Sequence, residues 1–100
     1  MYAAIRRYEL LPADVPTLRQ RVQAGFLPII SQVAGFVSYD LIEAENGVVI
    51  SVSVFADEAA AQESSRRAAA WVEQEAADLV HQTRQYTTGA VTIHQAAPSP

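Results

Sequence analysis

The stretch VVISVSVF, residues 48–55, constrains the fold more than any other part of the chain. Its β-branched residues suit a pleated strand better than a helix, and it lies between a turn signal, Asn46-Gly47, and a helix cap, Asp57. Period-two alternation divides it into two faces. Val48, Ile50, Val52 and Val54 form a purely aliphatic face, while Val49, Ser51, Ser53 and Phe55 form one with two hydroxyls. A strand this rich in valine and isoleucine belongs in a sheet covered on both sides. Two serines on a covered face need a reason, and the rest of the chain suggests one.

Upstream, YAAIRRYEL (2–10), ended by Leu11-Pro12, predicts a first strand. Val15, Leu18, Val22, Phe26, Ile29 and Val33 then recur every three or four residues, which predicts a helix over 15–34, capped by Asp14 and stopped at Gly35. Pro28 predicts a kink or break after Gly25, because it cannot donate to the carbonyl of Ala24. GFVSYDLIEA (35–44) is a second strand, joined to 48–55 by a two-residue Asn46-Gly47 hairpin turn. An alanine-rich helix follows over 58–82, with Ala61, Ala68, Trp71, Val72 and Leu79 toward one side, and AVTIHQA (90–96) after Gly89 is the last strand. The order βαββαβ is that of a ferredoxin-like α+β domain over residues 1–96, with a frayed tail at 97–100. Its antiparallel four-stranded sheet carries two helices on one face, so the other face is open within one chain.

The two-residue turn sets Glu45 opposite Val48, so that Ile42 meets Ser51, Asp40 meets Ser53 and Ser38 meets Phe55. On that register Tyr39 and Leu41 lie with Val52 and Val54 under the helices, and the serine face is the open one. It gathers Arg6, Tyr8, Ser38, Asp40, Ser51, Ser53, Thr92 and His94 around Ile42, Val49 and Phe55. The expectation is a homodimer closed through these serine-bearing faces, with a pocket for a small apolar or aromatic molecule between sheet and helices.

Eleven acidic residues against seven basic ones, all arginine, leave a formal charge of −4, which speaks against nucleic-acid binding. The absence of cysteine removes disulfides and thiolate metal sites and fits a reducing compartment. No apolar run reaches the roughly 18 residues of a membrane span, and MYAAIRRYEL, with arginines inside its apolar run, does not read as a signal peptide. The chain reads as a cytoplasmic protein, and its alanine-rich, lysine-free usage as that of a GC-rich bacterial gene. Two histidines with no third ligand at metal spacing predict no metal site.

GFVSYDLIEAENGVVISVSVFADEAAAQES has a glycine ending the first helix, a tyrosine in the second strand and an aromatic-x-Asp leaving the third. It resembles the dimeric α+β barrel superfamily, and most of all its antibiotic biosynthesis monooxygenase-like branch. The resemblance covers residues 1–96 in element order and implies a homodimer whose sheets meet face to face in a barrel. Members of that branch include oxygenases of polycyclic phenols that use neither metal nor flavin, and haem-degrading enzymes with an Asn on the first strand and a Trp and a His on the second helix. The haem pattern is not matched: the first strand offers Arg6 and Arg7 and no Asn, and aligning on Asp57 puts Gln62 and Val72 where the Trp and His would stand.

The expectation is therefore cofactor-free oxidation of a small aromatic or polyketide-type compound. His94 is the candidate general base and Arg6 the group that stabilises a phenolate, with Tyr8 and Asp40 beside them. Ser38, Ser51, Ser53, Phe55, Thr92 and Trp71 are candidate ligand contacts. Trp71 has two readings, a stacking surface for a flat ligand or a plug of the core. The alternative function is a non-catalytic, stress-response-type homodimer that binds a small molecule, and the fold does not choose between the two.

Overall fold

The computed structural model of the chain describes residues 1–81 and 85–98. Strands β1 (Tyr2–Glu9), β2 (Phe36–Glu43), β3 (Val48–Phe55) and β4 (Gln85–Ala90) pair antiparallel in the order β2-β3-β1-β4. Helices α1 (Val15–Arg21) and α2 (Leu27–Ile30) follow β1, and α3 (Glu58–Glu75) follows β3. This is the expected ferredoxin-like α+β arrangement.

α1 and α2 form one helical run with a defect in it. Pro28 offers no N–H to the carbonyl of Ala24, and Val22–Phe26 widen into a π-helical turn closed by the Leu27 N–H on the carbonyl of Val22. The break expected after Gly25 is this turn. Leu18, Val22, Phe26 and Ile30 still point into the core, and the chain leaves for β2 through Gly35 at a φ of 87°. α3 begins where Asp57 accepts a 2.8 Å hydrogen bond from the Ala60 N–H. It stops at Glu75, short of the expected 82, because Ala76 leaves helical geometry (φ −140°) and lets Leu79 and Val80 pack into the core. The Arg21 guanidinium donates to the Glu75 carbonyl at 2.9 Å, placing a positive charge at the helix end. Residue 82 of the expected helix and residues 99–100 of the expected tail lie outside the described residues.

Two expectations are corrected. The last strand is Gln85–Ala90, not 90–96: Ala90 pairs with Tyr2, the Val91 N–H reaches the Met1 carbonyl, and there the partners on β1 end. Residues beyond Val91 are exposed. The hairpin loop has three residues, Glu45–Gly47, not two, and the Ala44 N–H donates to Val48. Asn46 and Gly47 do take positive φ (60° and 79°), but the register moves by one residue. Leu41 now opposes Ser51, Tyr39 opposes Ser53 and Asp40 opposes Val52.

That single step exchanges the faces of β3. Val49, Ser51, Ser53 and Phe55 are buried under the helices, alongside Ala4, Arg6 and Tyr8 of β1. The small residues Ala60, Ala61, Ser64 and Ala68 of α3 are buried too, so the helix sits close to the sheet, where serine fits and valine or isoleucine would overpack. The open face is the aliphatic one, where Ile5 and Ile42 are 42% and 47% exposed.

Candidate functional site

Arg6 is 1% exposed, on the helix-facing side of the central strand β1. Its Nη1 donates to Ser53 Oγ at 2.9 Å and to Ser51 Oγ at 3.4 Å, and its Nη2 donates to Ser64 Oγ at 2.8 Å. The Ser64 hydroxyl in turn donates a hydrogen bond to the Ala61 carbonyl at 2.6 Å. Strand register explains the first two contacts, since Arg6 pairs directly with Ser51 and Ala4 with Ser53. The serines of β3 are therefore solvation for a buried guanidinium.

That solvation is incomplete. Among the described residues no carboxylate is paired with Arg6; the five ion pairs they form, such as Arg19–Glu43 and Arg21–Asp78, all have substantial solvent exposure. Arg6 Nε has no hydrogen-bond partner. Burial pulls the guanidinium below its ordinary range, opposed by the phenols of Tyr8, Tyr39 and Tyr86. Even so, arginine keeps its proton, and a buried charge paired only with neutral dipoles carries a desolvation cost of several kcal/mol.

Beside Arg6 lies a cavity of about 20 Å³, walled by Tyr8, Tyr39, Ser51, Phe26, Trp71 and aliphatic side chains from α1, β2 and α3. Burial raises the pKa of the Tyr8 phenol strongly, with Tyr86 adding to the effect and Arg6 opposing it. Burial also pushes Tyr39 up to about 12, against the pull of Arg6. Both stay neutral hydroxyls at physiological pH. Trp71 is 7% exposed, packs at 5.5 Å from the Phe26 ring and leaves little room beside Gly25, so it is at once core and cavity wall. A surface hollow of about 200 Å³ between α1 and β2 shares Val22, Tyr39 and Leu41 with the cavity.

Of the residues expected at the site, Arg6, Tyr8, Ser51 and Trp71 line the cavity and Ser53 bonds to Arg6, on the helix-covered face and not on the open one, while Phe55 lies on the same face at the far end of β3, opposite Tyr2 and against Phe36. Ser38 and Asp40 oppose Val54 and Val52 on the aliphatic face. Thr92 and His94 lie in the exposed segment after β4. Ser64, Tyr39 and Phe26 were missing from the candidates. Ser64 had a signal: it falls on the Ala61–Ala68 stripe of α3, where a lone hydroxyl among alanines marks a polar partner below.

The family described as antibiotic biosynthesis monooxygenase matches residues 1–74. No curated protein matches the chain. Among solved structures, a protein of unknown function from Nitrosomonas europaea is similar with a TM-score of 0.77 and 21% identity, over 98% of this chain and 95% of that one. The monooxygenase ActVA-Orf6 of Streptomyces coelicolor, solved with nanaomycin D, has a TM-score of 0.76 at 17% identity, over 98% and 92%. SnoaB, a cofactor-independent oxygenase from Streptomyces nogalater, has a TM-score of 0.66 at 16% identity, over 98% and 97%.

Proposed function

The chain belongs to the antibiotic biosynthesis monooxygenase family, and from that we propose that it oxidises a small aromatic, polyketide-type phenol, without metal or flavin, the ring lying in the surface hollow of about 200 Å³ between α1 and β2 and its oxygen directed into the small cavity beside Arg6. The observation that carries this reading is the buried Arg6 guanidinium, which has no carboxylate partner among the described residues and faces an aromatic-lined cavity. A phenol whose oxygen reaches that cavity meets a fixed positive charge in a low-dielectric site, which favours its ionised form. The phenolate then gives an electron to dioxygen, and the radical pair combines into a carbon–oxygen bond. Loss of water from the resulting peroxide leaves a quinone. One oxygen atom enters the product and the other leaves as water, the substrate being the only reductant. The cofactor independence of SnoaB and the ligand of ActVA-Orf6 support this choice of substrate and chemistry.

A second reading, a ligand-binding protein without catalysis, is favoured by one feature: among the described residues the cavity wall holds neither a carboxylate nor an imidazole. His94 acts as base only if its segment reaches a cavity, in its own chain or in a second copy.

The test is oxygen uptake by the purified, metal-free protein with a panel of anthrone- and naphthacene-type phenols. The oxygenase reading expects uptake, with a loss of about 10²–10³ in Arg6→Met, the size of losing one oxyanion donor. If His94 is the base, His94→Ala loses about 10²–10⁴. Binding of a panel compound without any oxygen uptake overturns the oxygenase in favour of the binding protein.

A further inference from the structure

The guanidinium of Arg6 is the only buried ionised group among the described residues, and it lacks a counter-charge there. Its three serine partners are neutral, and Arg6 Nε is a buried donor without an acceptor. Every polar residue on the cavity wall, namely Arg6, Tyr8, Tyr39, Ser51 and Trp71, can donate a hydrogen bond, and none is anionic. The cavity's volume of about 20 Å³ exceeds the roughly 10–15 Å³ that one water-sized guest requires. We propose that this cavity is a binding site for a small monovalent anion of halide size, taken up from solution by the free protein and held by Arg6.

The physical reason is charge balance. An uncompensated cation in a low-dielectric interior attracts a counter-ion far more strongly than the same cation at the surface. Serine hydroxyls accept from the two terminal nitrogens of the guanidinium but leave its Nε unpartnered and its net charge in place. A water molecule in the cavity would do the same, whereas a halide of similar size would neutralise it. The aliphatic and aromatic walls disfavour multiply charged or heavily hydrated ions such as sulfate. The site would then have an exchangeable occupant, which an incoming substrate oxyanion must displace.

Trp71, the only tryptophan in the chain, lines this cavity and reports on it directly. Iodide is titrated into the free protein at constant ionic strength, balanced with gluconate, and Trp71 fluorescence is followed. A bound iodide predicts quenching that saturates in the millimolar range and is reversed by chloride. In Arg6→Met the quenching becomes weak and linear with concentration. A parallel melting series predicts a saturable rise in the wild-type melting temperature when chloride replaces gluconate, as expected for a ligand that binds the folded state alone. Linear quenching that chloride does not reverse, with no chloride-dependent melting shift, overturns the proposal even if Arg6→Met fails to fold, because both signals are read on the wild type. The readouts are binding equilibria without substrate or oxygen, so their outcome is separate from that of the oxygenase assay.

Discussion

At the scale of residues, Arg6 is expensive to bury, and the serines around it exist to lower that cost. Ser64→Ala removes an acceptor from a buried charge, which predicts a loss of about 1.5–3 kcal/mol by chemical denaturation. In an Arg6→Met background the same change should cost far less, because its partner is gone. Equal costs in the two backgrounds would mean that Ser64 acts only through packing. The buried tyrosines make a second prediction. Tyr39 ionises at about 12 in the fold, against 10.0 for the free phenol, and Tyr8 is raised as well, burial being the main cause for both. Groups whose folded pKa is raised contribute stability that is complete below the unfolded pKa and lost as the pH rises through the folded value. Thermal melts should therefore fall steeply above roughly pH 10, with Tyr39→Phe flattening the decline. A wild-type melting temperature level across that range would contradict the burial of these phenols. The alternation of VVISVSVF made both serines visible from sequence, and Arg6 was legible as a charge on the same sheet face. That the serines serve Arg6 was not legible, because a cross-strand partner depends on register.

At the scale of elements, most of the difference between expectation and structure comes from one residue in one loop. Tyr39 and Leu41 were expected under the helices, and they are there. A two-residue turn would have put Val52 and Val54 beside them, and the three-residue loop Glu45–Gly47 puts Ser51 and Ser53 there instead. Asn-Gly is the signal for both loops, since each needs positive φ. β4 differs for another reason: AVTIHQA (90–96) was expected as the last strand because Gly89 reads as a breaker, whereas the strand runs through Gly89 and its partners on β1 end at Tyr2, opposite Ala90. The Glu45–Gly47 loop offers its own test. Gly47 has a φ of 79°, and a Cβ built on it would overlap the Leu10 carbonyl oxygen, whose own N–H donates to the Gly47 carbonyl at 2.9 Å. Gly47→Val should lower stability by at least about 1–3 kcal/mol from the backbone strain alone, read as a lower melting temperature. An unchanged melting temperature would place the loop differently.

At the scale of the whole molecule, the helices cover the polar face of the sheet and leave the aliphatic one to the outside. We propose that a second copy closes that face, around Ile5, Ile42, Ile50, Val52 and Val54, in place of the serine-bearing closure expected from the sequence. Light scattering at micromolar concentration should give twice the chain mass, and Ile50→Asp should give the chain mass alone; a monomeric wild type would contradict this. Architecture was readable in the sequence because element order and periodicity are local properties. The site was only partly readable, because it depends on which sheet face meets the helices. What unites the molecule is a positive charge held under the helices, beside an aromatic cavity, without a carboxylate among the described residues to cancel it. The most direct measurement of that claim is the ionisation of a bound phenol, followed by the absorbance of its phenolate during a pH titration in the presence of excess protein. The account predicts a bound pKa below that of the free phenol, with the shift abolished in Arg6→Met. A bound pKa equal to or above the free value in the wild type would contradict it.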